Sequence, residues 1–189
     1  MIILGFLLLA AMLAPAATPA GGLAPVAPDT AVATVIVVRH AERDTLIGPD
    51  HPLTAAGLLR AQELRHVLAH SAIDAIYVTK WSRSRQTAMP IAAALGESLT
   101  VVDDVVETVR RLRTRHWGRT ALVVGHSNTI PDLIAALTGR PFPEPAVPYD
   151  GLWVVTLRRD APAGLVTLRY GASTEAGIPA PPTRDPTTR

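Results

Sequence analysis

The segment Thr34-Val35-Ile36-Val37-Val38-Arg39-His40-Ala41-Glu42-Arg43 decides how this chain is read. Val35 to Val38 form an apolar, β-branched run with no alternation, the pattern of a strand covered on both faces inside a parallel sheet. The run stops abruptly at Arg39, so its polar residues emerge at the carboxyl end of the strand. In an open α/β sheet that edge is where ligands bind. Two arginines flanking a histidine point to an anionic ligand, because planar guanidinium groups bind phosphate bidentately. A buried strand that merely ends in a charged loop is the competing reading, and the rest of the chain decides between them.

Outward from this strand, apolar runs alternate with helical patterns. The loop from Asp44 to Pro52 precedes a helix that Thr54 can cap, with Leu58, Ala61, Leu64, Val67 and Leu68 at helical spacing. A second strand is expected at Ala75–Thr79, followed by a helix from Ser82 to Leu95 that stops at Gly96 and is bent by Pro90. Leu99–Val102 reads as a short third strand, with Asp103 or Asp104 capping a helix to about His116 that carries Val105, Val106, Val109 and Leu112. A fourth strand, Thr120–Gly125, is again unalternating and again ends in a histidine, His126. Ser127 or Asn128 then starts a helix that Gly139 ends. The proline-rich PFPEPAVP that follows is a rigid connection, and Leu152–Arg158 with Leu165–Tyr170 reads as a hairpin at the sheet edge. The fold class is therefore α/β: a three-layer α/β/α sandwich, mostly parallel sheet with helices on both faces, and a C-terminal edge hairpin.

Composition narrows the function. A chain of 189 residues supports one sizeable core. The net charge of +2 and the lack of any basic run interleaved with aromatics argue against nucleic acid as a partner. With no cysteine, disulfides, thiol catalysis, zinc–thiolate sites and a lipoprotein anchor are excluded. Residues 1–30 read as a signal peptide and linker: Ile2 to Leu13 is apolar and too short to span a bilayer comfortably, and small residues follow at Ala14, Ala16 and Ala20. The usual basic start of a leader is missing. The expectation is an exported protein, periplasmic or extracellular, with no membrane span after cleavage. Residues 31–172 form the domain, and residues 173–189 form a disordered tail.

Four motifs now stand in order: Arg39-His40-Ala41-Glu42; Pro52-Leu53-Thr54 with Gly57; Ser82-Arg83-Ser84-Arg85-Gln86-Thr87-Ala88; and Val124-Gly125-His126-Ser127-Asn128. Together they resemble the histidine phosphatase superfamily, the phosphoglycerate-mutase-like enzymes. The resemblance implies a phosphatase acting on phosphomonoesters. His40 matches the nucleophile, Arg39 and Arg83 match phosphate ligands, and His126 matches the second histidine at the phosphoryl group. Ala41 stands where the family has glycine, and Ser84 where it usually has alanine.

The chemistry agrees. A neutral imidazole can attack phosphorus in line and form a phosphohistidine. Arg39, Arg83 and a protonated His126 would then neutralise the equatorial oxygens without a metal or other cofactor. Ser127 and Asn128, read as a helix start, would add backbone N–H donors, and Arg43 is a candidate third arginine at the phosphate. The general acid is less clear: Glu42 is the first candidate, beside Asp44 and Glu107, while Asp103 and Asp104 read as caps. The partner is a small phosphorylated substrate, with envelope sugar phosphates and scavenged organic phosphates both open. Alternatives are a phosphohistidine-protein phosphatase, a mutase-type phosphotransferase, and, from another class, an inactive phosphate-binding module. His66 and His70, four apart, read as surface histidines rather than zinc ligands.

Overall fold

Each strand expected above forms within the described residues, and the six pair into one sheet. The computed structural model describes residues 31–174, and the proposed leader and most of the proposed tail lie outside that range. The elements are β1 (Ala33–Arg39), α1 (Ala55–Val67), β2 (Ile73–Val78), α2 (Ser82–Leu95), β3 (Leu99–Val101), α3 (Val105–Arg115), β4 (Thr120–Gly125), α4 (Ile130–Thr138), β5 (Gly151–Leu157) and β6 (Gly164–Arg169). The sheet order is β3-β2-β4-β1-β5-β6. β3, β2, β4 and β1 are parallel, and the β5–β6 hairpin adds antiparallel beside β1. None of the described helices is long and apolar enough to cross a membrane.

The unalternating runs have a direct explanation. Val35 and Val37 of β1 join Ala121 and Val123 of β4 in a core with Leu112, Ile130, Leu133, Ile134 and Leu137. Ile36 and Val38 face the other way, with Leu122 and Val124, onto Leu64, Leu68, Ala88 and Ile91. Helices thus cover both faces, so both sets of β1 side chains must be apolar. Each such side chain contributes about 1.5–3 kcal/mol by leaving water.

The helices follow their caps. Thr54 caps α1 by accepting from the Gly57 N–H, and Asp104 caps α3 by accepting from the Glu107 N–H. α2 runs continuously through Pro90 and ends at Gly96 in the left-handed conformation. Two expected apolar stripes are corrected. On α1, Leu58 and Val67 face solvent, and the buried line is Gly57, Arg60, Ala61 and Leu64. On α3, Val106 is exposed and Leu112 is buried. Each misplaced residue sits one position off the line that meets the sheet, a difference that periodicity alone does not resolve over so few turns.

Two contacts on α1 set the geometry of the nucleophile loop. A Cβ at Gly57 would stand 2.3 Å from the Glu42 carbonyl oxygen, so only glycine lets the helix approach this closely. One turn on, the buried Arg60 donates through Nε and Nη2 to the Glu42 carboxylate, and through Nη1 and Nη2 to the carbonyls of Tyr170 and Ala172. This arginine ties the residues after His40 to the end of the hairpin.

Candidate active site

Parallel register brings the three strand ends level. Arg39 pairs with Gly125 and Val78 with Val124, so Arg39, Thr79 and His126 leave the sheet at one edge. The His40 N–H donates to the Gly125 carbonyl at 2.9 Å, which locks the two histidine-bearing turns together. The two imidazole rings lie 5.1 Å apart, centroid to centroid.

The hydrogen bonds of His40 define its tautomer. Its Nδ1 stands 2.8 Å from the Ala41 carbonyl oxygen. A carbonyl only accepts, so Nδ1 carries the proton and Nε2 presents a lone pair. Burial, with His126 and then Arg39 and Arg83 adding to it, holds the His40 pKa down at about 3 against the Ala41 hydrogen bond, which raises it. The ring is a neutral nucleophile throughout the physiological range. His126 receives the same treatment: burial and then Arg83 lower it to about 4. The protonated His126 expected from sequence is thus corrected to a neutral ring in this state. Its Nε2 pairs with the Thr79 hydroxyl at 2.9 Å.

Three arginines converge here. Arg39 and Arg83 each have a lowered pKa, chiefly through burial, and Arg43 adds repulsion to both and to His126. Arg39 donates from Nη1 to the Val147 carbonyl, and Arg83 donates from Nη1 to the Asp50 carbonyl. The Nη2 group of neither makes a hydrogen bond to the described residues. Like charges held together in partly buried positions, with donors to spare, match an anion with several oxygens.

The segment after β2 shows why its residue types recur together. Arg83 supplies charge. Ser84, fully buried, donates to the Val124 carbonyl and ties α2 to β4. The Gln86 Oε1 accepts from the Leu53 N–H. Thr87 Oγ1 accepts from the Ala41 N–H beside the nucleophile. One helical turn thereby fixes three other segments around Arg83.

Not every residue singled out from sequence comes to the site as expected. Glu42 is held by Arg60, so its carboxylate is committed elsewhere, and Glu107 is paired with Arg110 and Arg111 on α3. Asp44 accepts from the Leu46 N–H. Ser127 and Asn128 lie in an exposed turn and do not begin a helix. α4 starts at Ile130, with Pro131 in its first turn, where a missing N–H costs nothing. Thr129 Oγ1 accepts from the His126 N–H and holds the turn. Ser127 nonetheless lines, with Arg39, Pro131, Phe142, Glu144 and Val147, a cavity of about 290 Å³. His116, on the far side of β2, pairs with the Tyr77 hydroxyl. Among the described residues there is no cluster of three His, Cys, Asp or Glu side chains able to hold a metal.

Two site residues escaped the sequence reading. Asp50 accepts from both the N–H and the hydroxyl of Ser82, which fixes the start of α2 next to Arg83. Tyr149 stacks on Arg39, with the guanidinium carbon 3.8 Å from the ring centroid, and its ring lies 5.8 Å from that of His40. No local pattern in the sequence marks Tyr149, which the proline-rich connection carries to the ligand edge.

The buried histidines make stability depend on pH in a definite direction. An unfolded histidine takes a proton near pH 6.5, whereas His40 and His126 hold out to about 3 and about 4. Below pH 6.5 the unfolded state binds more protons, so the stabilisation present above that pH is lost as pH falls. Urea midpoints are expected to decline from pH 6.5 toward pH 4, with a shallower decline in a His40→Asn, His126→Asn double variant. An unchanged slope in that variant would contradict the buried, neutral state of the two rings.

Residues 35–108 match the model of the histidine phosphatase superfamily (branch 1), a span holding His40 and Arg83. No curated protein matches the chain. Among solved structures, the protein histidine phosphatase SixA complexed with tungstate aligns with a TM-score of 0.61 at 19% identity, over 72% of this chain and 96% of that one. The alpha-ribazole phosphatase from Shigella flexneri aligns at 0.61 and 18% identity, over 78% and 100%. A mycobacterial glucosyl-3-phosphoglycerate phosphatase aligns at 0.60 and 14% identity, over 75% and 99%. At such identities the likeness establishes a shared fold.

Proposed function

We propose that this chain, whose residues 35–108 match the model of the histidine phosphatase superfamily (branch 1), is a phosphatase that hydrolyses phosphomonoesters through a phosphohistidine on His40. The observation that carries this reading is the tautomer of His40: Nδ1 is committed to the Ala41 carbonyl, and the free Nε2 stands at the strand edge where Arg39, Arg43 and Arg83 gather.

In the first half-reaction the Nε2 lone pair attacks phosphorus while the ester oxygen departs. The guanidinium donors of Arg39 and Arg83 meet the equatorial oxygens, where charge grows. His126 contacts the same oxygens. Thr79, hydrogen-bonded to its Nε2, fixes the orientation of that ring. In the second half-reaction water attacks the phosphohistidine and releases phosphate. Fixed cations do the work here that a bound metal ion does in other phosphoryl-transfer sites. Residues 1–30, read as a leader, make the mature enzyme an exported one within this proposal.

The test is hydrolysis of p-nitrophenyl phosphate by the protein starting near residue 31. Turnover is expected to persist in excess EDTA and to be inhibited competitively by tungstate, the oxyanion bound in the SixA structure. Loss of activity on chelation would overturn the metal-independent mechanism.

A further inference from the structure

The site as described lacks a proton donor for the departing oxygen. The acidic side chains around it are engaged. Glu42 is paired with Arg60, and Asp50 accepts two bonds from Ser82. Asp103 Oδ1 accepts from the Lys80 N–H, and its Oδ2 lies 3.9 Å from the Lys80 Nζ. Asp150 Oδ1 accepts from the Thr174 hydroxyl. One proton-bearing group stands against both the nucleophile and a phosphate-binding arginine: Tyr149, 5.8 Å ring to ring from His40 and stacked under the Arg39 guanidinium at 3.8 Å.

From this juxtaposition we propose that Tyr149 is the general acid–base residue of the reaction, protonating the leaving group of alkyl phosphates. The proposal rests on the phosphohistidine reading above. The phenolic hydroxyl of Tyr149 is a proton donor and makes no hydrogen bond to the described residues. Both Arg39 and Arg83 couple electrostatically to it, so the phenolate left after transfer stands among positive charges. The rigid PFPEPAVP connection brings the side chain there, and Arg39 fixes that connection by donating to the Val147 carbonyl at 2.7 Å.

The step balances. As the bond from His40 Nε2 to phosphorus forms, the bond from phosphorus to the ester oxygen breaks. That oxygen keeps the electron pair and takes the Tyr149 proton, so an alcohol leaves and a phenolate remains. Water then attacks phosphorus, the bond to Nε2 breaks, and the proton lost by water returns to Tyr149 as phosphate departs.

The experiment compares wild type with Tyr149→Phe, which keeps the ring over Arg39 and removes only the hydroxyl. It uses p-nitrophenyl phosphate, whose leaving group departs without a proton, and glycerol 2-phosphate, whose alkoxide needs one. Tyr149→Phe is expected to lower kcat/KM for glycerol 2-phosphate at least about 30-fold more than it lowers that for p-nitrophenyl phosphate. Equal losses on both esters would mean that the residue only positions Arg39, and no loss on either would mean that its hydroxyl is idle. Either result overturns the proposal. So would a wild-type enzyme that hydrolyses p-nitrophenyl phosphate and not the alkyl ester. If wild type hydrolyses neither ester, or His40→Ala retains activity, the phosphohistidine reading itself fails and takes this proposal with it.

Discussion

His40→Ala is expected to lower kcat for p-nitrophenyl phosphate by at least about 10⁴-fold, with the fold retained. The size follows from covalent chemistry: without Nε2 there is no phosphoenzyme, and the arginines then bind an ester that no group attacks. The fold should survive because His40 sits at the end of β1, beyond the apolar residues that hold the sheet, and its backbone bond to the Gly125 carbonyl does not depend on the side chain. Phosphate or tungstate should still raise the melting temperature of the variant, since Arg39, Arg43 and Arg83 remain. Steady-state kinetics beside a melting curve with and without tungstate separates loss of chemistry from loss of structure. Activity within a few-fold of wild type would remove His40 from the mechanism.

Arg60→Ala is expected to cost about 3–5 kcal/mol of stability, the largest effect of any single polar substitution in the described domain. Arg60 is 5% exposed and satisfies the Glu42 carboxylate together with two backbone carbonyls at the end of the hairpin. Truncation leaves a partly buried carboxylate and two carbonyls without their donor, and opens a cavity under α1. A urea titration measures the loss. A change below about 1 kcal/mol would show that the Glu42 pair is screened like a surface ion pair. Because Glu42 lies two residues after the nucleophile, the same variant should also loosen the His40 turn and lower kcat/KM.

The sheet was legible because burial on both faces leaves a strong signature. The runs ending at Arg39 and Gly125 are apolar at every position, and a strand meeting helices on both sides has no other solution. Caps were legible for the same local reason: Thr54, Asp104, Gly96 and Gly139 each satisfy or release backbone groups within a few residues. The pairing of Glu42 was not legible. Its partner Arg60 is eighteen residues away on a helix whose buried face carries an arginine where periodicity expects a hydrophobe, and only the packed structure shows which one. The start of α4 was misplaced because Ser127 and Asn128 are good caps in isolation, while Pro131 and the Thr129 hydroxyl shift the helix onward. Tyr149 was invisible for a third reason. Its place beside His40 depends on how a proline-rich connection crosses the sheet edge, which no local pattern encodes.

The site follows the same division. Arg39, His40, Arg83 and His126 could be assembled on paper because strand ends in a parallel sheet converge at one edge. Their protonation states could not, since these depend on burial and on the mutual repulsion of three guanidinium groups. The structure supplies that part: two neutral imidazoles surrounded by fixed positive charge.

The central claim is that phosphoryl transfer passes through His40, and rapid-quench trapping with a radiolabelled aryl phosphate tests it most directly. The account predicts a burst of phenol release matched by label on the peptide containing His40, stable in alkali and lost in acid. A full burst of product with the label on another residue, or turnover with no labelled enzyme at any quench time, would contradict it.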